Sequence, residues 1–143
     1  MARVTIDMPD TFAYSTALDV RISDINYGNH LGHDRFISLL HESRVRLLQE
    51  MGYTETDIHG AAIVISDLSV IYKTQVFHGD RVLISIAWGE FNKYGCDLFY
   101  RATHAEKGTL LLEAKTGIVF FKKKKKKVCP MPGPFKEKLL ARQ

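Results

Sequence analysis

Cysteine is nearly missing from this chain: Cys96 and Cys129 are the two thiols in 143 residues. They are too few for a disulfide scaffold and lack the spacing of a metal site. Cys96 falls in a strand pattern, where a small buried hydrophobe is the ordinary role, and a reducing cytoplasm is the simplest setting. Long apolar runs are also missing. None approaches the roughly 18 residues of a bilayer span, and the N-terminus has no basic segment leading into an apolar one, so no secretory signal is expected. Proline is scarce, with three of the four (Pro130, Pro132 and Pro134) gathered in the C-terminal tail. A net positive charge is missing outside one place. The net charge of +4 becomes −2 once the block Lys122 to Lys127 is set aside. A broadly basic, nucleic-acid-binding surface is thereby excluded.

What is present is the length and 45% hydrophobic content of one globular domain spanning 1–143. Residues 1–12 read as a loose lead-in. Over 14–23, Tyr14, Thr16, Leu18, Val20 and Ile22 alternate with polar residues, the period of a half-buried strand. Phe36, Leu40, Leu47 and Met51 then recur at helical spacing, predicting the only long helix over roughly 33–51, stopped at Gly52. Residues 53–60 read as a loop. Four strands are expected after it, over 61–73, 81–90, 94–104 and 109–121, separated by turn signals such as His78-Gly79-Asp80 and Glu106-Lys107-Gly108. The first of the four is apolar on both faces and is expected to be buried on both. The tail 128–143 reads as an arm along the surface.

One strand, one helix and four strands joined by short turns imply an antiparallel sheet with the helix covering one face. The helix is apolar around much of its circumference, which suits a curled sheet wrapped around it. One helix cannot shield every apolar strand position. A homo-oligomer, dimer or tetramer, is expected to bury the rest.

Between the first strand and the helix lies Asp24-Ile25-Asn26-Tyr27-Gly28-Asn29-His30-Leu31-Gly32-His33. A carboxylate, two carboxamides and two imidazoles are thus gathered beside a helix N-terminus, whose amides are free and whose dipole favours developing negative charge. Chemistry on a carbonyl fits such a place. Glycines let a ligand approach the backbone closely, and amides from Gly28 to Gly32 are candidate oxyanion donors. The blander reading is a turn that uses Gly for conformation and Asn for capping. His30 is a candidate base or hydrogen-bond donor, and His33 is a weaker one. Asn26 either orients water or closes an Asx-turn. Asp24 either acts on substrate or holds the loop. Glu42 either faces the cleft as a base or pairs with Arg46 one turn on. Asp34 is the other carboxylate near the motif. Ser66 and Asp67 interrupt an apolar strand, so a site or contact role is expected of them.

This order of elements resembles the hot-dog fold, and specifically the 4-hydroxybenzoyl-CoA thioesterase-like acyl-CoA thioesterases. The residues carrying the resemblance are Arg21-Ile22-Ser23-Asp24, then Asn26, Gly28 and His30, with Phe36 and Glu42-Ser43-Arg44 on the helix. Val70-Ile71-Tyr72-Lys73, Gly79-Asp80-Arg81-Val82 and the closing strand Lys115 to Phe121 complete it. The resemblance implies an α+β hot-dog subunit of about five strands, an acyl-CoA or acyl-carrier substrate, no metal, and coenzyme A only as part of the substrate. It also implies Asn26, His30, Glu42 and Asp24 as the catalytic set. Tyr27, Gly28, Asn29, Leu31, His33, Ser66, Asp67 and Lys73 are the implied substrate contacts. One departure matters: the family's second acid stands here as Asn26, and an amide is neither nucleophile nor base. Two alternatives follow. R-specific enoyl-CoA hydratases share the fold and an Asp-x-Asn-x-x-His motif, one residue shorter before the His than here. A non-catalytic acyl-CoA-binding protein is the other. The lysine block is either a solvated edge or an electrostatic trap for coenzyme A phosphates or an acidic carrier.

Overall fold

A computed structural model describes all 143 residues. Strand β1 (Tyr14–Asp19) leads through a single 3₁₀ turn, Ile22–Asp24, and a loop into α1 (His33–Glu50). Strands β2 (Ala62–Tyr72), β3 (Arg81–Gly89), β4 (Gly95–His104) and β5 (Leu110–Lys122) follow, then a two-residue strand β6 (Lys127–Val128) and a short helix α2 (Gly133–Ala141). All pairings are antiparallel, in the order β1-β3-β4-β5-β2, with β6 hairpinned back onto the end of β5. The sheet curls around α1, which is the hot-dog arrangement implied by the sequence, with six strands and a second helix.

Period-2 alternation decides which face is wet. Val82, Ile84, Ile86 and Trp88 of β3 point to the helix, as do Leu98, Tyr100 and Ala102 of β4 and Leu112, Ala114, Ile118 and Phe120 of β5. They meet Phe36, Leu39, Leu40, Leu47 and Leu48 of α1 in one continuous core. Residues 1–13 form no helix or strand, although Phe12 lies under the Arg101 guanidinium, 4.6 Å from its carbon to the ring centroid.

Two expectations need correction. The tail is not an arm along the surface. Pro134 occupies the first turn of α2, where a missing N–H costs nothing, and the helix drives Phe135 and Leu139 into the core, each 1% exposed. Phe135 stacks edge-on against Tyr53 and Phe120, and Trp88 Nε1 donates to the Leu139 carbonyl at 2.9 Å. Truncating Phe135 to alanine costs about 3 kcal/mol on the usual scale for a buried aromatic.

The second correction concerns β2, which is not buried on both faces. It is an edge strand, paired in the sheet with β5 alone, with the Ile63 N–H on its other side taken by the Glu55 carbonyl at 2.9 Å, and residues 64–68 are exposed. A bulge between Ile65 and Asp67 shifts the register by one residue. Beyond it Leu68 returns to the helix side and Asp67 stays on the outer face. There Asp67 Oδ1 accepts the Gly117 N–H at 2.7 Å, and its carboxylate binds Lys115 Nζ at 2.9 and 3.0 Å. The Lys115 hydrogen bond, with help from Gly117, holds the Asp67 carboxyl below its ordinary range.

Candidate active site

The junction loop is built on its own backbone. Asp24, 6% exposed, accepts the Arg21 N–H on Oδ2 at 2.9 Å, and its carbonyl accepts Gly32 N–H at 3.2 Å. Ile25 and Leu31 form a one-step bridge, and the Asn26 N–H reaches the His30 carbonyl at 3.0 Å. Asn29 takes the left-handed conformation, φ 68°, which asparagine tolerates better than most side chains. Leu31 N–H donates to the Val76 carbonyl at 2.7 Å, fastening the loop to the β2–β3 connection. Asp24 is thus the loop's anchor, with its carboxylate turned to Arg21.

Asn26 closes an Asx-turn, with Oδ1 accepting the Gly28 N–H at 2.9 Å. The amides of Gly28, Asn29, Leu31 and Gly32 all have acceptors within the protein. Of the loop amides expected from the sequence as oxyanion donors, that of His30 is the one left without an acceptor. The N–H groups of His33, Asp34 and Arg35 remain, because the first turn of a helix has no intrahelical acceptors for them.

Gly28 and Gly32 keep polar groups close together. A methyl group added at Gly28 would lie 3.1 Å from Asn26 Oδ1 and 3.3 Å from His30 Nε2. One added at Gly32 would lie 2.7 Å from Asp34 Oδ1 and 3.6 Å from Asn26 Nδ2. Asn26 thus shares its Gly28 side with the His30 imidazole and its Gly32 side with the Asp34 carboxylate. Asp34 is the group to which sequence reasoning gave no role. Its signal was a carboxylate in the first helical turn, where the dipole favours negative charge.

His30 Nδ1 lies 3.0 Å from the Leu31 carbonyl oxygen. A carbonyl only accepts, so Nδ1 carries the proton, and in the neutral ring the lone pair is then on Nε2. A cavity of about 220 Å³ opens beside this imidazole, lined by His30, Leu31, His33, Phe36 and by Tyr72 to Val76 at the end of β2. Lys73 brings a positive charge to the wall. Tyr72 donates its O–H to the His33 carbonyl at 2.9 Å and stacks edge-on with Phe36 and His33. Burial, and then the charge of Asp34, raise the Tyr72 phenol above its ordinary range.

The remaining sequence candidates lie elsewhere. Glu42 accepts from Arg46 Nε at 3.1 Å and lines a separate polar groove with Asp24, Arg35 and Arg46, between α1 and β1. It does not line the His30 cavity. Ser66 and Asp67 mark the bulge at the middle of β2. Tyr27, Gly28 and Asn29 crown the loop, with Tyr27 fully exposed.

Beneath the β2 edge runs a polar network that the sequence did not disclose. Glu55 takes hydrogen bonds from Arg44 Nε and His41 Nε2, both at 2.6 Å, while Arg44 Nη1 donates to Tyr100 Oη at 3.1 Å and Tyr100 meets Thr116 at 2.8 Å. Burial would push the Glu55 carboxyl up, but the Arg44 hydrogen bond and charge, with His41, hold it below its ordinary range.

The known proteins agree with this architecture. No curated protein matches the sequence. Among solved structures, a 1,4-dihydroxy-2-naphthoyl-CoA thioesterase of Synechocystis superposes with a TM-score of 0.82 at 19% identity, covering 89% of this chain and 95% of its own. A DHNA-CoA thioesterase of Staphylococcus aureus superposes with a TM-score of 0.78 at 17% identity, covering 90% and 88%. Identities this low speak for the fold alone. The sequence profile of the thioesterase-like superfamily matches residues 20–139, a span that includes the junction loop, the cavity and the whole sheet beyond β1, and the chain belongs to that superfamily of hydrolases.

Proposed function

We propose that the protein hydrolyses the thioester of a small or medium acyl group carried on coenzyme A, or on an acyl carrier, to the free acid and the thiol. The observation that carries this reading is the His30 tautomer. With Nδ1–H held by the Leu31 carbonyl, the neutral ring has its lone pair on Nε2, and the ring lines a cavity with apolar walls. In this reading Nε2 takes a proton from water as the water oxygen attacks the thioester carbonyl carbon. The tetrahedral oxyanion receives N–H groups from the first turn of α1. Its collapse breaks the carbon–sulfur bond, and the imidazolium returns the proton to the departing thiolate. Asn26 and Asp34 position the imidazole and the water, and Asp24 keeps the loop in shape.

A cavity of about 150 Å³ holds benzene, so the 220 Å³ here favours a short chain or a single ring over a long acyl tail. The reaction needs no cofactor, because coenzyme A arrives with the substrate. The active form in this reading is a homo-oligomer, supported by Val64, Ile65, Leu68 and Tyr72, which stand 42–46% exposed along β2. No helix is long and apolar enough to cross a membrane, and a cytoplasmic setting would keep the two free thiols reduced.

Thiol release across a panel of short, medium and aromatic acyl-CoA thioesters tests the reading. His30→Ala is expected to lower kcat by about 10²-fold, the scale of a lost general base, with folding intact. Undiminished turnover in that variant, or enoyl-CoA hydration in place of thiol release, overturns it.

A further inference from the structure

The block Lys122 to Lys127 is a built element. Lys122 and Lys127 pair across the β5–β6 hairpin, and Lys123 to Lys126 form its turn, closed by Lys126 N–H on the Lys123 carbonyl. Lys126 takes the left-handed conformation, φ 51°, and Lys123 to Lys127 are exposed. The hairpin thus concentrates six positive charges on a body whose remaining charge is −2. Electrostatic focusing of that kind selects polyanions.

Position decides which polyanion. Phe121 pairs with Ala62, so the hairpin projects past the first residue of β2, whereas the His30 cavity lies at Tyr72, the last residue. Eleven residues of strand put about 33 Å between the two ends. One coenzyme A cannot touch both within a protomer. A second copy changes this. Beyond Ile63, whose N–H is taken by the Glu55 carbonyl, the free edge of β2 is long, apolar and unpaired, and two copies related by a two-fold axis pair such edges antiparallel. When the axis passes near Leu68, so that residues 64–72 pair and Ile63 keeps its bond to Glu55, Val64 of one protomer falls opposite Tyr72 of the other. The hairpin of one protomer then stands two strand spacings, about 10 Å, from the β2 that frames its partner's cavity.

We propose that the lysine hairpin of each protomer binds the 3′-phosphate and diphosphate of the coenzyme A whose acyl group sits in the partner's cavity. The proposal rests on the thioesterase reading above and adds to it a phosphate site supplied in trans. The cavity end alone offers Lys73 for this purpose. The hairpin supplies the charge that the cavity lacks.

The test replaces Lys122 to Lys127 by glutamine and follows the Kd of free coenzyme A and the KM of an acyl-CoA at low and physiological salt. Both are expected to rise tenfold or more at low salt, with a flattened salt dependence, because exposed charges act through a screened field. The preference for acyl-CoA over the phosphate-free N-acetylcysteamine thioester should fall by the same factor. Replacing the six by arginine should restore affinity. Lys123→Gln with Lys125→Gln, which touches only the exposed turn, should give a smaller shift in the same direction.

Mixing subunits then tests the trans arrangement. A heterodimer of the glutamine-hairpin subunit and a His30→Ala subunit contains one site with an intact cavity and an intact hairpin. Its KM is expected to return to the wild-type value. A KM that stays raised in the mixture, or a Kd for coenzyme A unchanged by the glutamine hairpin, overturns the proposal. So does a loss confined to acyl-carrier-protein substrates, which would make the hairpin a protein-docking element. If the wild-type protein hydrolyses neither thioester, the thioesterase reading fails. The Kd for coenzyme A still decides the phosphate site in that case.

Discussion

The sheet has two edges, and they are built for opposite ends. Strand β1 is six residues long, and Arg46 of α1 leans across it, donating to Thr16 Oγ1 at 2.9 Å and to the Ala17 carbonyl at 3.0 Å. A short strand whose free carbonyl is taken by a helix cation does not extend a sheet. Strand β2 is eleven residues long, with apolar side chains exposed on both faces, and on its free side only the Ile63 N–H is taken, by the Glu55 carbonyl. Left in water, such an edge is an aggregation site; paired with a copy of itself it becomes the centre of a larger sheet. The cavity that holds His30 opens at the end of this second edge. The difference teaches that the His30 cavity and the uncovered apolar strand lie on one edge, while the other edge is closed off by a helix cation.

A charge set into each edge breaks the comparison most sharply. Leu68→Lys places like charges face to face across a two-fold β2 pairing. Sedimentation should show monomers, and kcat/KM should fall by about 10²-fold or more as the shared site loses its alignment. Ser15→Lys on β1 should change neither. Equal effects at both edges would mean that β1 also pairs.

Next in size is the network under β2. Glu55→Gln leaves Arg44 buried without its counter-charge and should cost about 3 kcal/mol in urea denaturation at neutral pH. Because Glu55 is held below its ordinary range when folded, its contribution is present above the unfolded carboxylate pKa. It is lost as pH falls through the lower folded value. The wild type should therefore lose stability toward acid more steeply than the glutamine variant. Parallel acid limbs would show that the pair does not contribute. The smallest effect belongs to the closed edge. Arg46→Ala should cost about 1 kcal/mol through the lost bonds to Thr16 and Ala17, with the oligomeric state unchanged by light scattering.

Much of the junction could be read from residue order. A strand period giving way to a helical one, with Gly28, Asn29 and Gly32 between, marks a strand-to-helix loop, and α1 starts at His33 as the pattern predicts. The tail misled because three prolines look like a helix breaker. Pro134 falls in the first turn, where proline is harmless, and the Phe135–Leu139 pair at i, i+4 was the overlooked sign of an amphipathic helix. The apolar run 61–73 misled in another way. Side-chain hydrophobicity says that a surface is to be covered, but not by which chain.

Residue type and spacing by themselves determined the order of strand, long helix and four strands, the polar junction with its histidines, and the apolar character of the run 61–73, because periodicity and turn chemistry are local. Only the tertiary structure decided which polar groups converge. It brought Asn26, His30 and Asp34 around Gly28 and Gly32, sent Glu42 to a separate groove with Arg46, used up the amides of Gly28 and Gly32, and turned six lysines into a hairpin beyond the first residue of β2. Those outcomes depend on how a loop closes and which way a helix is rotated against a curled sheet. Such choices are fixed by packing between segments far apart in the chain, and no local pattern records them.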